Sequence, residues 1–166
     1  MSLTLPSELT WALSLVGIDW PDADEDKLDQ MGQEWLRFSK ALSGLVDDLV
    51  KQGDGVTSAN AGTAIDAFQR SWTGSEAPLT NLRDGAEAAA EIALALGICS
   101  KIVLAYKGVV LAEIAAFAYS VAAAAAAAST GIGAIIGAGV VIARRIIAQQ
   151  AIDAALNLAV EKLMNG

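Results

Sequence analysis

Asp22, Asp24 and Asp26 fall on alternate positions directly after Trp20-Pro21, the spacing with which a calcium-binding loop begins. Such a loop also needs glycine at its sixth position, for a sharp turn, and a bidentate glutamate at its twelfth. Counted from Asp22, those positions hold Lys27 and Gln33, so the acids do not make a calcium loop. Other carboxylates could pair for acid/base work, but they cluster at one helix start or lie on polar helix faces, which reads as a solvated surface. The chain has no histidine and a single cysteine, Cys99. That removes histidine-based proton transfer, Ser-His and Cys-His nucleophiles, most zinc sites and any internal disulfide. Cys99 sits in an apolar run and reads as a small core residue. The glycines of "GIGAIIG" (131–137) have the look of a dinucleotide loop, but that fingerprint must follow a strand, and here it follows polyalanine. No cofactor, metal or catalytic residue is expected, and the chain is not expected to be an enzyme.

The acids have a better explanation as the opening of a helix. Pro21 presets a turn, Asp22 or Asp24 can cap the first backbone N–H groups, and Asp24, Glu25 and Asp26 then face the positive end of the helix dipole. Downstream, Leu28, Met31, Trp35, Phe38, Leu42, Leu45 and Leu49 recur at steps of three and four, an apolar stripe of helical period. This predicts a long helix from about residue 24 to the Gly53-Asp54-Gly55 turn. A second arm is expected from about Ser58, with Ala64, Ile65, Phe68 and Trp72, interrupted at Gly74 and Pro78 and resuming from Leu79 through Leu82, Ala86, Ala89, Ala93 and Leu96. Before these, Ser7 can cap a short helix over about 8–17.

The last third changes character. Ile114 to Ala143 contains no charged residue, and Ala122 to Ala128 are all alanine. "STGIG" (129–133) predicts a connection between helices, and after Arg144-Arg145 the positions Ile152, Leu156, Ala159 and Leu163 predict a final amphipathic helix. The run is long enough for a membrane span, but alanine adds little to insertion and Gly131 to Gly133 would interrupt it. Gly133 and Gly137 form a GxxxG pair, which favours close helix packing in water or in lipid. No segment alternates as a strand does, so the fold class is all-α.

The whole chain, 166 residues with a net charge of −8, suits one domain with a core and argues against nucleic acid. The amino terminus has no basic residue before its apolar stretch, so a Sec-type signal is not expected.

Taken together, "LPSELTWALSLVGIDWPDADEDKLDQMGQEW", "AIDAFQRSW" and the Ala-rich tail ending "ARRIIAQQAIDAAL" resemble the WXG100-like amino-terminal domains of actinobacterial toxins secreted by type VII systems. The mycobacterial outer-membrane channel and necrotizing toxin protein carries a domain of this kind. The residues that carry the resemblance are Trp20, Pro21, Asp24 and Asp26, with Glu25 between them, then Trp35 in the first long helix, and Phe68 and Trp72 with Gly74 in the second. Two features depart from the pattern. The turn signal at Gly53–Gly55 precedes Trp72-Thr73-Gly74, and neither Tyr106 nor Tyr119 has an acid four residues on, as the Tyr-x-x-x-Asp/Glu export signal requires.

The resemblance implies an elongated helical bundle over 1–166, a hairpin over about 24–100 extended by Ala-rich helices over about 103–165. Trp35, Phe38, Phe68 and Trp72 would be the hairpin's packing and recognition residues. It further implies a targeting domain of a secreted toxin, docking a small WXG100-like helical protein or a second copy, read by a secretion ATPase. The protein would be cytoplasmic before export and then secreted or at the cell surface. The rival expectation is a membrane-inserting or pore-forming domain that uses residues 109–143. "EKLMNG" fits a helix finishing at Asn165-Gly166, whether or not a toxin domain follows.

Overall fold

The computed structural model describes residues 2–128 and 131–165, with the side-chain surroundings of 131–136 and 165 left aside. Among the described residues all regular structure is helical, and the fold is an all-α helical bundle. A 3-10 turn at Ser7–Leu9 leads into α1 (Thr10–Val16), followed by α2 (Glu25–Ala59), α3 (Thr63–Thr73), α4 (Pro78–Ala127) and α5 (Gly131–Asn165). Ser7 does not cap a helix. It opens the 3-10 turn, and no side chain caps α1.

The acid cluster does open a helix: Asp24 immediately precedes α2, and Glu25 and Asp26 occupy its first turn. The expected turn at Gly53–Gly55 is absent, because α2 runs through it for 35 residues. The reason is a close approach. A β-carbon at Gly53 would sit 2.4 Å from the indole Nε1 of Trp72, so glycine here makes room for a ring instead of bending the chain. The bend falls at Gly62, whose φ of 116° and ψ of 173° lie where side chains are rarely tolerated. Gly62→Ala should therefore cost about 1–3 kcal/mol in urea unfolding. At the second break α3 stops at Thr73 and Pro78 starts α4, the first helical position where proline's missing N–H costs nothing.

The Ala-rich helices expected from about 103 are not separate pieces. α4 is one helix of 50 residues that passes through position 103 without interruption, and α5 likewise passes through Arg144-Arg145. Neither place holds a residue that breaks the i→i−4 ladder. The predicted 129–133 connection lies partly outside the described residues, at 129–130; α5 is already helical from Gly131.

Residue packing divides the chain into two compact units, one of residues 1–26 with 99–166 and one of residues 27–98. In the first, α1 is held against α4 and α5. Ala12, Leu13 and Val16 are buried with Val110, Ile114 and Phe117 of α4 and with Ala148 and Ile152 of α5. The Gln149 side-chain amide donates to the Val16 carbonyl at 2.6 Å, satisfying a terminal carbonyl of α1 that has no partner within its own helix. Cys99 is half-buried.

In the second unit α2 and the early part of α4 run antiparallel. The Ser39 hydroxyl donates to the Ala86 carbonyl at 2.7 Å, and a β-carbon at Gly32 would meet the Ala93 carbonyl at 3.1 Å. The buried α2 positions are Gly32, Ser39, Val46 and Gly53, spaced by sevens. They face Leu79, Ala86 and Ala89, also buried. A seven-residue repeat keeps one seam on a partner helix, and small residues in that seam let the two backbones close up.

Candidate interaction surface

The seam lies one position away from the bulky stripe. Expected to point inward, Met31, Trp35, Phe38 and Leu45 are instead 51%, 36%, 51% and 48% exposed, while Leu28, Leu42 and Leu49 are half-buried. Trp35 and Phe38 thus lie outside the packed seam of this unit. The physical reason is the size of the facing residues: Ser39 meets Ala86 and Gly32 meets the Ala93 backbone, so small residues fill the seam and the large side chains lie on its flank. Trp35 and Phe38 are neighbours there, edge to face with ring centroids 5.9 Å apart. The result is a ridge of apolar side chains at i, i+4, i+7 and i+14 on a helix whose other side is already packed.

Phe68 and Trp72 stand together on α3. Both are half-buried, their rings stacked with centroids 5.4 Å apart, and the Trp72 indole covers Gly53. Gly74 ends α3 in an extended conformation, and its carbonyl accepts from the Ala77 N–H at 3.0 Å and the Thr80 hydroxyl at 3.1 Å. The chain reverses at Gly62, and Trp72-Thr73-Gly74 lies beyond it at the break between α3 and α4, so that departure from the family pattern remains.

The Trp20-Pro21 motif belongs to the first unit. Trp20 packs on the core of α1, α4 and α5, with Lys107 Nζ 5.9 Å from its ring. Pro21 is half-buried, Asp24 precedes α2 and Asp26 is in its first turn. The residue that sequence reasoning undervalued is Glu25. Its side chain is 5% exposed and that of Lys107 3%, with Nζ 2.8 Å from Oε2. The Ser2 hydroxyl donates to the same oxygen at 3.0 Å, and the Leu3 N–H donates to the other. Lys107 also donates to Ser2 Oγ at 3.3 Å, and the Ser100 hydroxyl to the Glu25 carbonyl at 2.9 Å. Burial pushes the Glu25 carboxyl up, but the Lys107 ammonium and the Leu3 and Ser2 donors outweigh it and lower the pKa to about 2. Held by the Lys107, Ser2 and Leu3 donors, this carboxylate ties the amino terminus down. Among the described residues no buried side-chain polar atom lacks a partner, and no cluster of three or more acidic, histidine or cysteine residues is placed to hold a metal.

Compared with known families, residues 5–154 match the model of the WXG100 like domain. The chain belongs to the WXG100-like family. No curated protein and no solved structure matches it. Membership makes this WXG100-like chain a helical protein related to type VII secretion. Proteins of the WXG100 family are non-enzymatic, secreted without a signal peptide, and typically form helical hairpin dimers with partners.

Proposed function

We propose that the chain is a non-catalytic targeting domain of a type VII secretion substrate, the amino-terminal part of a toxin, and that it docks a small WXG100-like helical hairpin along α2. The observation that carries this is the ridge of Met31, Trp35, Phe38 and Leu45, exposed on a helix whose seam is already filled. Apolar side chains at helical spacing are what an amphipathic partner helix reads, and a Trp-Phe pair supplies the kind of aromatic anchor that dominates such interfaces. The partner's apolar stripe covers the ridge, and the composite surface is what the secretion ATPase recognises.

Export from the native host tests this. Because Trp35 and Phe38 are exposed, Trp35→Ala with Phe38→Ala should leave helicity unchanged, weaken the complex by about thirtyfold or more, and keep the chain inside the cell. A variant that is exported as well as the parent would end the proposal. Light scattering on the purified pair identifies the occupant, since a mass of two identical chains would point to a second copy.

A further inference from the structure

We infer that the helix docking on the α2 ridge carries two basic side chains two heptads apart, one seated beside Glu34 between Trp35 and Phe38, the other opposite Asp48. This rests on the docking proposed above and adds the partner's charge register. The ridge has its own period. Leu28, Trp35, Leu42 and Leu49 recur every seven residues, and so do Met31, Phe38 and Leu45 between them. These are the a and d positions of a coiled-coil stripe, which a partner helix with the same repeat can follow. The row on one side of the stripe, Gly32, Ser39 and Val46, is already buried against α4. The row on the other side, Glu34, Ala41 and Asp48, is exposed, and Lys27 precedes the exposed ridge. A helix lying on the ridge therefore borders Glu34, Ala41 and Asp48. In coiled coils such flanking positions set partner choice and orientation through ion pairs. Here they present an acid, a small uncharged gap and a second acid.

Glu34 also belongs to a formed recess. With Trp35 and Phe38 it lines an open cleft of about 320 Å³. The two rings stand edge to face, so a side chain entering between them meets the face of one ring. A cation within about 6 Å of a ring face is attracted by its negative quadrupole, and the carboxylate beside the rings favours the same charge. An apolar knob would gain the rings but press the carboxylate against hydrocarbon, which is costly. The acids are kept available by their present partners. Arg37 Nη2 lies 3.1 Å from Glu34 Oε1, and Lys51 Nζ lies 3.4 Å from Asp48 Oδ1. In each pair the base is three residues on, about 60° further round the helix and away from the ridge. Both pairs are open to water, and exposed pairs of this kind hold weakly, so a cation from the partner can replace the base. A second copy of this chain is a poorer occupant, because its net charge of −8 makes two copies repel.

Synthetic helical peptides with leucine at every a and d position test this, differing only in carrying arginine, glutamine or glutamate at two flanking positions two heptads apart. Titrated calorimetrically into the full chain at low salt, the arginine peptide should bind about tenfold tighter than the glutamine peptide, and the glutamate peptide more weakly than either. Glu34→Gln with Asp48→Asn should remove the preference, and high salt should shrink it. Arg37→Gln with Lys51→Gln should enlarge it, because the acids lose their competitors; acids that served only to support α2 would give no such gain. Equal binding of all the peptides, lost in Trp35→Ala with Phe38→Ala, would overturn the charge register and leave the docking in place. Binding of none of them, or binding indifferent to Trp35 and Phe38, would overturn both. A parent chain that is already a dimer, and that parts in the Trp35→Ala, Phe38→Ala variant, would assign the ridge to a second copy and overturn the inference as well.

Discussion

Lys107→Met should destabilise the chain by about 3–5 kcal/mol in urea unfolding, the largest effect expected of any single exchange, because it strands the Glu25 carboxylate in a dry site. The double exchange Glu25→Leu with Lys107→Met should recover most of that loss, since a buried pair offsets its own desolvation only narrowly and an apolar replacement often does as well. The same site sets an acid limit. The Glu25 carboxyl has a pKa of 4.5 when unperturbed and about 2 in the folded chain. The folded state therefore binds its proton less readily than the unfolded state. The stabilisation is fully present above the unfolded value and is lost as pH falls from about 4.5 through about 2. Urea titrations at successive pH values should show the parent losing stability across that window while the Leu/Met double variant stays flatter. Parallel curves for the two would remove Glu25 as the source.

Gly53→Ala and Gly55→Ala should move stability in opposite directions, although the two glycines lie in one helix only two positions apart. At Gly55 nothing stands within 4 Å of a new methyl, so alanine's better helix propensity should stabilise by up to about 1 kcal/mol. At Gly53 the methyl would overlap the Trp72 indole, which could move aside only by giving up its stacking on Phe68. The gain in propensity is then outweighed, and a net loss of about 1–3 kcal/mol is expected. In a Trp72→Ala background the Gly53→Ala penalty should vanish, because the overlapping ring is gone; a penalty that persists there would show that the ring is not its cause.

The helical class, the start of the first long helix beside Asp24, and the break between Thr73 and Pro78 were all legible in the amino-acid pattern, because each rests on local chemistry. The turn at Gly53-Asp54-Gly55 was misread for the converse reason. Its composition is that of a turn, but a tertiary contact with Trp72 decides its conformation, and nothing local reports that contact. The seam was hidden differently. A search for large apolar residues finds Met31, Trp35, Phe38 and Leu45, whereas the packed face is Gly32, Ser39, Val46 and Gly53, and two glycines and a serine carry no hydrophobic signal. The large residues lie on the flank of the helix, one position from the packed face. Glu25 and Lys107 stand 82 residues apart and resemble any two surface charges until the fold brings them together.

The first unit is assembled from both ends of the chain, and this imposes an order on its birth. Residues 27–98 are contiguous, so on a ribosome they can fold as soon as they emerge. Ala12, Leu13 and Val16 must wait for Val110 and Phe117, and then for Ile152, before their core exists. Throughout synthesis of the intervening segment the amino-terminal residues travel unpacked, with Glu25 solvated and Ser2 unattached. Closing so long a loop is slow compared with forming a local helix pair. The newborn chain therefore passes through a stage with the α2–α3–α4 hairpin folded and residues 1–26 still unpacked.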